Sequence, residues 1–404
     1  MTRFTFLMLI FVSLVATAMA DDPASPPDLV RTGIDVLRSE RFTRLKDANV
    51  GLITNHTGVA ADGTSTVTLF RDAPGLQLKA LFSPEHGFAG KLDQAEIGDA
   101  TDEATGLKIF SLYGKTRVPT AESLQGIDTL VFDIQDIGTR FYTYISTMGG
   151  AMRVAAESGI RFVVLDRPNP IGGAVVQGPV LDAGSESFVG YHTIPLRHGM
   201  TTGELATMFR DEFDLDLNLD VVRCQGWQRS DWYDTTGLLW INPSPNMRCL
   251  NQATLYPGVG LIETTNVSVG RGTDTPFEVV GAPWIGAREF AAAMNHVGLV
   301  GVRFVPVEFV PDSSKHSGEV CGGIQITITN REKLDPVRLG LELAIQLRKL
   351  YPNDWDVKLL NRLLGSERVC DAILGGESVA VIESLNRDDL ERFGQRRAKY
   401  LLYD

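Results

Sequence analysis

Short apolar runs alternate with segments of helical spacing along the first half of the chain. The runs are four to six residues long and cover residues 49–54, 78–82, 129–134, 162–165 and 219–224. Helical spacing predicts a first helix with a face formed by Val36, Leu37, Phe42 and Leu45, and further helices at 65–73, 141–158 and 202–213. Apolar strands that alternate with helices are typical of a parallel sheet buried on both faces. The pattern therefore predicts an α/β fold, a Rossmann-like and mostly parallel sheet with helices on both faces.

The second half of the chain follows a different pattern. Residues 228–282 are rich in Trp, Gly, Pro and Asn and have little periodicity, which predicts long loops that form a site. Later elements are predicted as helices near 286–296 and at 335–350, strands near 302–309 and 323–329, and a mostly helical segment at 357–402. A chain of 404 residues fits two domains. We predict a tether at 21–30, a Rossmann-like catalytic domain at 31–235, and a smaller α+β C-terminal domain at 236–404 that contributes loops to the site.

Residues 1–20 have the pattern of a secretory signal peptide. Arg3 supplies the positive end, residues 6–16 form an apolar stretch too short to cross a bilayer, and Ala18-Met19-Ala20 matches a cleavage site. We therefore expect a secreted or periplasmic protein with no membrane anchor after cleavage. Export would allow two disulfides, and buried free thiols are an equally good interpretation of the cysteines at 224, 249, 321 and 370.

The charge of the chain limits its partners. It has 38 basic and 50 acidic residues and a formal net charge of −12. This balance argues against binding to nucleic acid or to an anionic membrane surface, because both need a basic face. No glycine-rich dinucleotide motif follows the first strand, and no metal-ligand spacing is evident. We therefore expect neither a cofactor nor a metal.

Polar side chains follow four of the predicted strands. The carboxyl ends of parallel strands meet at one edge of a sheet, where α/β proteins bind their ligands. We therefore expect a functional crevice along that edge. Its candidate residues are Asn55 and His56, Glu85 and His86, Asp133, Gln135 and Asp136, and Asp166, Arg167 and Asn169.

Glu85 is the first candidate for a catalytic acid. It follows Pro84 at a strand end and precedes His86. A carboxyl group in a partly apolar setting can stay protonated and act as a general acid. The alternative is a carboxylate that caps the next helix. His86 can orient Glu85 or a substrate hydroxyl, or it is an ordinary loop histidine.

Two further groups allow more than one role. Asp133 or Asp136 can pair with Arg140, or Arg140 can instead bind a substrate carboxylate. The prolines in 166–170 make a rigid turn that suits either ligand binding or structure alone.

The later loops hold a second candidate group. Glu263, Asn266 and Arg271 stand in a glycine-rich segment, which suits a sugar or carboxylate site.

Motifs along nearly the whole chain resemble the DUF1343 family. They are Asn55-His56-Thr57-Gly58, Ser83–Phe88, Asp133–Tyr144, Leu165–Pro170, Pro243–Met247, and Gly270–Thr273 followed by Pro276–Glu278. The characterised members of this family are NamZ-type exo-β-N-acetylmuramidases. The resemblance implies a Rossmann-like catalytic domain, a smaller C-terminal domain, and an active site in the cleft between them.

The resemblance also implies an activity. Family members release terminal β-1,4-linked N-acetylmuramic acid from the non-reducing end of peptidoglycan fragments during cell-wall turnover. By this resemblance Glu85 is the acid, and the second carboxylate is Glu263, or else Asp133 or Asp166. Val269 stands where the family usually has Glu. The alternatives are a secreted, non-catalytic muropeptide-binding protein and a hydrolase of another acidic sugar.

A peptidoglycan sugar substrate needs a set of binding residues. The lactyl carboxylate of N-acetylmuramic acid predicts a cleft less acidic than the rest of the surface, with Arg140, Arg167 or Arg271 in it. The full set of substrate-binding candidates is Asn55, His56, His86, Gln135, Asp136, Arg140, Tyr142, Arg167, Asn169, Asn266 and Arg271.

Overall fold

The structure, a computed structural model, describes residues 29–92 and 96–404. The predicted signal peptide and nearly all of the predicted tether lie outside the described residues. Among the helices of the described ranges, none combines the length and the apolar composition needed to cross a membrane.

A seven-stranded sheet organises the first half of the chain. Its strands are β1 (Asn49–Thr54), β2 (Gln77–Ser83), β3 (Ala100–Thr101), β4 (Lys108–Ser111), β5 (Thr129–Asp133), β6 (Arg161–Leu165) and, after two short strands that lie outside this sheet, β9 (Leu219–Val222). The spatial order is β3-β4-β2-β1-β5-β6-β9, and every pair except β3 with β4 is parallel. From β1 the chain builds first to one side and then to the other, as in a doubly wound Rossmann sheet. The predicted α/β class is confirmed.

Helices cover both faces of this sheet because its central strands are apolar on both sides. In β5, Leu130 and Phe132 pack into the core on the side of α3 (Tyr144–Glu157) and α4 (Thr202–Glu212). Val131 points to the opposite face, where α1 (Gly33–Ser39) and α2 (Thr66–Asp72) pack. All three side chains are fully buried. Alternation between two apolar layers is what a continuous apolar strand requires.

The second half of the chain forms a smaller sheet with helices. The strands β10 (Val279–Ala282), β11 (Val302–Phe309) and β12 (Cys321–Ile328) are antiparallel in the order β10-β12-β11. The short strands β7 (Gln177–Val180) and β8 (Pro195–Arg197) form a separate pair. The remaining helices are α5 (Leu250–Val259), α6 (Ala287–His296), α7 (Pro336–Leu350), α8 (Asn361–Leu364), α9 (Glu367–Leu374) and α10 (Val379–Arg397). The later helices and strands predicted from the sequence are confirmed.

Two sequence predictions are wrong in detail. The predicted loops at 228–282 contain helix α5, which is buried along Gln252–Val259 and includes Pro257. A helix buried on every side has no polar face, so its sequence lacks the helical period. The predicted first helix ends at Ser39, because Arg41 and Phe42 have φ angles of 55° and 57°.

The C-terminal residues return to the carboxyl edge of the large sheet. The hydroxyl of Tyr403 donates a hydrogen bond to Oδ2 of Asp166 at 2.6 Å, and the backbone N–H of Leu402 donates to Oε1 of Glu204 at 2.7 Å. These bonds close part of the edge where a Rossmann sheet binds its ligand. The four cysteines, all within the described residues, carry free thiols.

Candidate active site

A cavity of about 520 Å³ lies beside the carboxyl ends of β2 and β4, where segments from the second half of the chain meet them. Five aromatic side chains line it as a connected cluster, with ring centroids 4.7–5.9 Å apart between neighbours. They are Phe141, Tyr142, Tyr144, Tyr256 and Phe277. Such a rigid, amphipathic lining is typical of sites that bind small organic molecules.

Glu85 enters the cavity from the loop after β2. The last four residues of β2 are buried, which fixes the position of the strand. Pro84 and Glu85 directly follow it and therefore lie at the carboxyl edge of the sheet. The hydroxyl of Thr143, directly before α3, donates a hydrogen bond to Oε2 of Glu85 and orients the carboxyl group. His86 also lines the cavity, and its ring Nδ1 donates to the carbonyl of Leu92 at 2.8 Å.

Glu263 enters from the second half of the chain. It follows a 3-10 turn at Gly260–Ile262, which continues directly from α5. Nη1 of Arg271 lies 2.5 Å from Oε1 of Glu263, and both side chains are mostly shielded from solvent. The ion pair fixes the orientation of the Glu263 carboxylate.

Lys315 completes this side of the cavity. It lies in the loop between β11 and β12, and its Nζ donates to the backbone carbonyl of Glu263. The loop is anchored where the N–H of Asp312 donates to the carbonyl of Gly272 at 2.8 Å. Gly272 has a φ of 80°, and a side chain there would collide with the backbone of Ser313. Burial lowers the pKa of Lys315.

Tyr256 links the two carboxyl groups electrostatically. Burial raises the pKa of its phenol well above the ordinary value, and the nearby carboxyl groups of Glu263 and Glu85 add to this effect. Both carboxyl groups therefore act on the same buried side chain from different parts of the chain.

The cavity lining is less acidic than the protein as a whole. Its basic side chains, apart from His86, are Arg117, Arg271, Lys315 and Arg362, whereas its acidic side chains among the described residues are Glu85 and Glu263. The whole chain, in contrast, has a net charge of −12. Val269 also lines the cavity and is 3% exposed, so the wall is apolar at this position.

The predicted residues at the centre of the sheet edge lie elsewhere. Asp133 is fully buried, and its Oδ1 accepts a hydrogen bond from Nε of Arg167 at 2.6 Å. The side-chain amide of Asn55 donates to the hydroxyl of Tyr144 at 3.1 Å, and its Oδ1 accepts from the N–H and the hydroxyl of Thr57. Asp133, Arg167 and Asn55 are thus held by internal hydrogen bonds, and none of the three lines the cavity.

Asp166 and Asn169 are likewise occupied by internal bonds. Asp166 accepts from the hydroxyl of Thr201 at 2.7 Å and from the N–H of Gly203 at 2.8 Å, and burial raises its pKa. Asn169 donates to the carbonyl of Met200 at 3.0 Å. Both lie under the returning C-terminal residues or in the adjacent turn rather than in the cavity.

Arg140 is a structural connector. Its guanidinium donates to the backbone carbonyls of Pro179, Ile194, Leu363 and Leu364 at 2.7–3.2 Å. It thereby joins the β7–β8 region to α8. The side chain is almost fully buried, which lowers its pKa to about 9.

The other predicted binding residues also lie outside the cavity lining. Nε2 of His56 donates to the carbonyl of Asn242 at 2.7 Å, and burial lowers the pKa of this histidine. Asn266 donates to the carbonyl of Asp354 at 2.8 Å. Gln135 donates to the carbonyl of Pro168 at 2.9 Å.

Asp136 is an unusual member of this group. Its Oδ2 accepts from the N–H of Gly138 at 2.7 Å, whereas Oδ1 is buried without a hydrogen bond. Burial raises the pKa of this carboxyl to about 7. Gly138 has a φ of 81°, and a side chain there would collide with Asn169, so the tight turn after β5 requires glycine.

The cavity thus brings together Glu85, His86, Tyr142, Glu263 and Arg271 from the predicted set. Sequence analysis does not identify the further lining residues Tyr113, Arg117, Thr143, Phe188, Tyr256, Lys315 and Arg362. Thr143 lies within a noted motif, but the signal for Lys315 is only its place between two predicted strands. No cluster of three or more His, Cys, Asp or Glu side chains suited to a metal occurs in residues 29–92 and 96–404.

Comparison with known proteins identifies the family of this chain. Models of the exo-β-N-acetylmuramidase NamZ N-terminal and C-terminal regions match residues 50–251 and 254–403. The chain is 43% identical to peptidoglycan β-N-acetylmuramidase NamZ of Bacillus subtilis over 412 aligned positions, which cover 100% of this chain and 99% of that protein.

Two solved structures of DUF1343 family proteins from Bacteroides fragilis are similar as well. One has a TM-score of 0.87 at 39% identity, and the other has a TM-score of 0.75 at 32% identity. Each comparison covers 93% of this chain and 99% of the other. The predicted family resemblance is confirmed. The chain belongs to the exo-β-N-acetylmuramidase NamZ family, also known as DUF1343.

Proposed function

We propose that this chain is an exo-acting glycosidase that releases terminal β-1,4-linked N-acetylmuramic acid from the non-reducing end of peptidoglycan fragments during cell-wall turnover. The observation that carries the proposal is one cavity that holds an oriented carboxyl group, Glu85, and an ion-paired carboxylate, Glu263. Two carboxyl groups with different environments are the usual machinery of glycoside hydrolysis.

The two groups have different roles in the proposed reaction. Glu85 donates its proton to the glycosidic oxygen as the bond to the sugar breaks. Glu263, oriented by its ion pair with Arg271, stabilises the positive charge that develops on the sugar ring, and it acts as the second catalytic carboxylate. Water supplies the hydroxyl group of the released sugar, and the remaining proton of the water passes to a carboxylate of the site.

Lys315 and Arg271 are the proposed contacts for the lactyl carboxylate of N-acetylmuramic acid. Both lie on the Glu263 side of the cavity, and Lys315 donates to a neutral backbone carbonyl there. An ammonium group that is half removed from solvent attracts a carboxylate more strongly than one in bulk water.

The test is substrate discrimination by the purified protein lacking residues 1–20. We expect it to release p-nitrophenol from p-nitrophenyl-β-N-acetylmuramic acid much faster than from the N-acetylglucosamine analogue, which lacks the lactyl group. Equal release from both would contradict the substrate assignment. Binding of the first compound without release would indicate a muropeptide-binding protein instead.

We also propose that the protein is exported to the periplasm or the medium. The support is the order of Arg3, the apolar stretch 6–16 and Ala18-Met19-Ala20. Fractionation of expressing cells, with N-terminal sequencing, tests this proposal. A protein in the cytoplasmic fraction that begins at Met1 would contradict it.

A further inference from the structure

Three lining residues of the cavity form an aromatic cluster that comes from the first half of the chain, whereas Glu263 comes from the second half. The rings of Tyr113 and Phe188 lie 6.0 Å apart between centroids, and the Arg117 guanidinium carbon lies 4.3 Å from the centroid of Phe188. All three residues line the cavity, and we call them the aromatic wall. Neither catalytic role proposed above uses them.

Strand register places the aromatic wall beside Glu85. In the parallel pair β2–β4, Ser83 is opposite Ser111. Glu85 and Tyr113 each follow these positions by two residues, and neighbouring strands are about 4.8 Å apart. The N–H of Leu112 donates to the carbonyl of Ser83 at 2.8 Å, so the two chains are still joined just before they reach the cavity.

A second group of lining residues suits the sugar to be released. Arg271 and Lys315 each contact Glu263, and all three residues come from the second half of the chain. In glycoside hydrolysis the acid lies at the bond to be broken, and the second carboxylate acts on the sugar that is released. The remaining side of the acid is where the departing sugar must lie.

Helix α3 packs against the residues next to the aromatic wall and holds the wall in place. Val118, next to Arg117, packs so closely on Gly150 that a side chain at Gly150 would collide with it. Tyr191, three residues after Phe188, packs in the same way on Gly149. Both segments of the wall therefore rest on consecutive glycines of one buried helix.

From this geometry we infer that Tyr113, Phe188 and Arg117 form the subsite for the leaving-group sugar, the 2-acetamido sugar on the reducing side of the broken bond. The apolar face of its pyranose ring packs on Phe188 and Tyr113, which removes C–H groups from water. Arg117, stacked on Phe188, donates hydrogen bonds to the sugar hydroxyl or acetamido oxygen atoms. This inference rests on the proposed function.

The test compares two substrates that share the N-acetylmuramic acid residue. One is its β-1,4-linked disaccharide with N-acetylglucosamine, and the other is its β-fluoride, which has no leaving-group sugar. We expect Phe188→Ala to lower kcat/KM for the disaccharide about tenfold and to leave the fluoride within twofold of the unchanged protein. Phe188→Tyr, which retains a ring, should restore most of the disaccharide activity.

Each outcome decides the inference. Equal losses on both substrates, or no loss on either, would overturn the subsite while the unchanged protein still releases N-acetylmuramic acid. If the unchanged protein cleaves neither substrate, the proposed function fails, and the subsite fails with it.

Discussion

Nη1 of Arg271 lies 2.5 Å from Oε1 of Glu263, and the pair forms one wall of the cavity. Arg271→Met removes the positive partner while keeping an apolar stem. We expect kcat for release of N-acetylmuramic acid to fall about 100-fold, because Glu263 loses the group that orients its carboxylate. Steady-state kinetics measure this, with the exposed Arg288→Met on α6 as the control. A wild-type kcat in Arg271→Met would rule out a role for the pair.

We expect Lys315 to determine the preference for substrates that carry a lactyl carboxylate. Lys315→Met should reduce the ratio of activities on the N-acetylmuramic acid and N-acetylglucosamine p-nitrophenyl glycosides about tenfold, chiefly by raising KM for the first. The measurement is kcat/KM for both substrates in the same preparation. An unchanged ratio would assign carboxylate recognition to another residue of the cavity.

Asp136 makes stability depend on pH. Its buried carboxyl has a pKa of about 7, above the ordinary 3.8, so the folded protein binds a proton that the unfolded chain releases. The protonated Asp136 carboxyl group therefore favours the folded state most below about pH 4. This contribution to stability is lost as the pH rises from about 4 to about 7. Asp136→Asn removes this loss because the amide does not titrate.

The measurement is the free energy of unfolding in urea at several pH values. The difference between Asp136→Asn and the unchanged protein should shift in favour of the variant by about 4 kcal/mol between the acidic and the alkaline end of this range. A difference that is constant with pH would show that Asp136 is ionised alike in both states.

Arg140 is expected to affect stability. Arg140→Met leaves four buried carbonyl groups without their donor, which should lower the free energy of unfolding by about 3 kcal/mol or more. The matched control is Arg38→Met, which breaks an exposed ion pair with Asp62 and should lower the free energy of unfolding far less. Similar losses for the two variants, measured by chemical denaturation, would contradict the connecting role of Arg140.

The large sheet could be predicted because its signal is local. Val131 and its neighbours in β5 are apolar at consecutive positions, and this alone requires cover on both faces. Helix α5 could not be predicted, because complete burial removes the periodicity on which the prediction depends.

The site could be predicted only in part, because a polar residue at a strand end can either bind another side chain of the protein or face a cavity. Glu85 and Asp133 look alike in sequence, but Asp133 finds Arg167 and is enclosed, whereas Glu85 reaches the cavity. Arg140 meets Leu363 more than 200 positions along the chain, a contact that no local pattern indicates. Lys315 depends in the same way on where a hairpin loop packs.

Glu85 is the proposed proton donor of the muramidase reaction. The most direct test compares Glu85→Gln with the unchanged protein on the disaccharide and on 2,4-dinitrophenyl-β-N-acetylmuramic acid, whose leaving group needs no proton. Glu308→Gln, an exposed residue of β11, is the control. We predict a loss of about 1,000-fold on the disaccharide and a far smaller loss on the dinitrophenyl glycoside. Near-normal turnover of the disaccharide by Glu85→Gln would contradict the assignment of Glu85 as the acid.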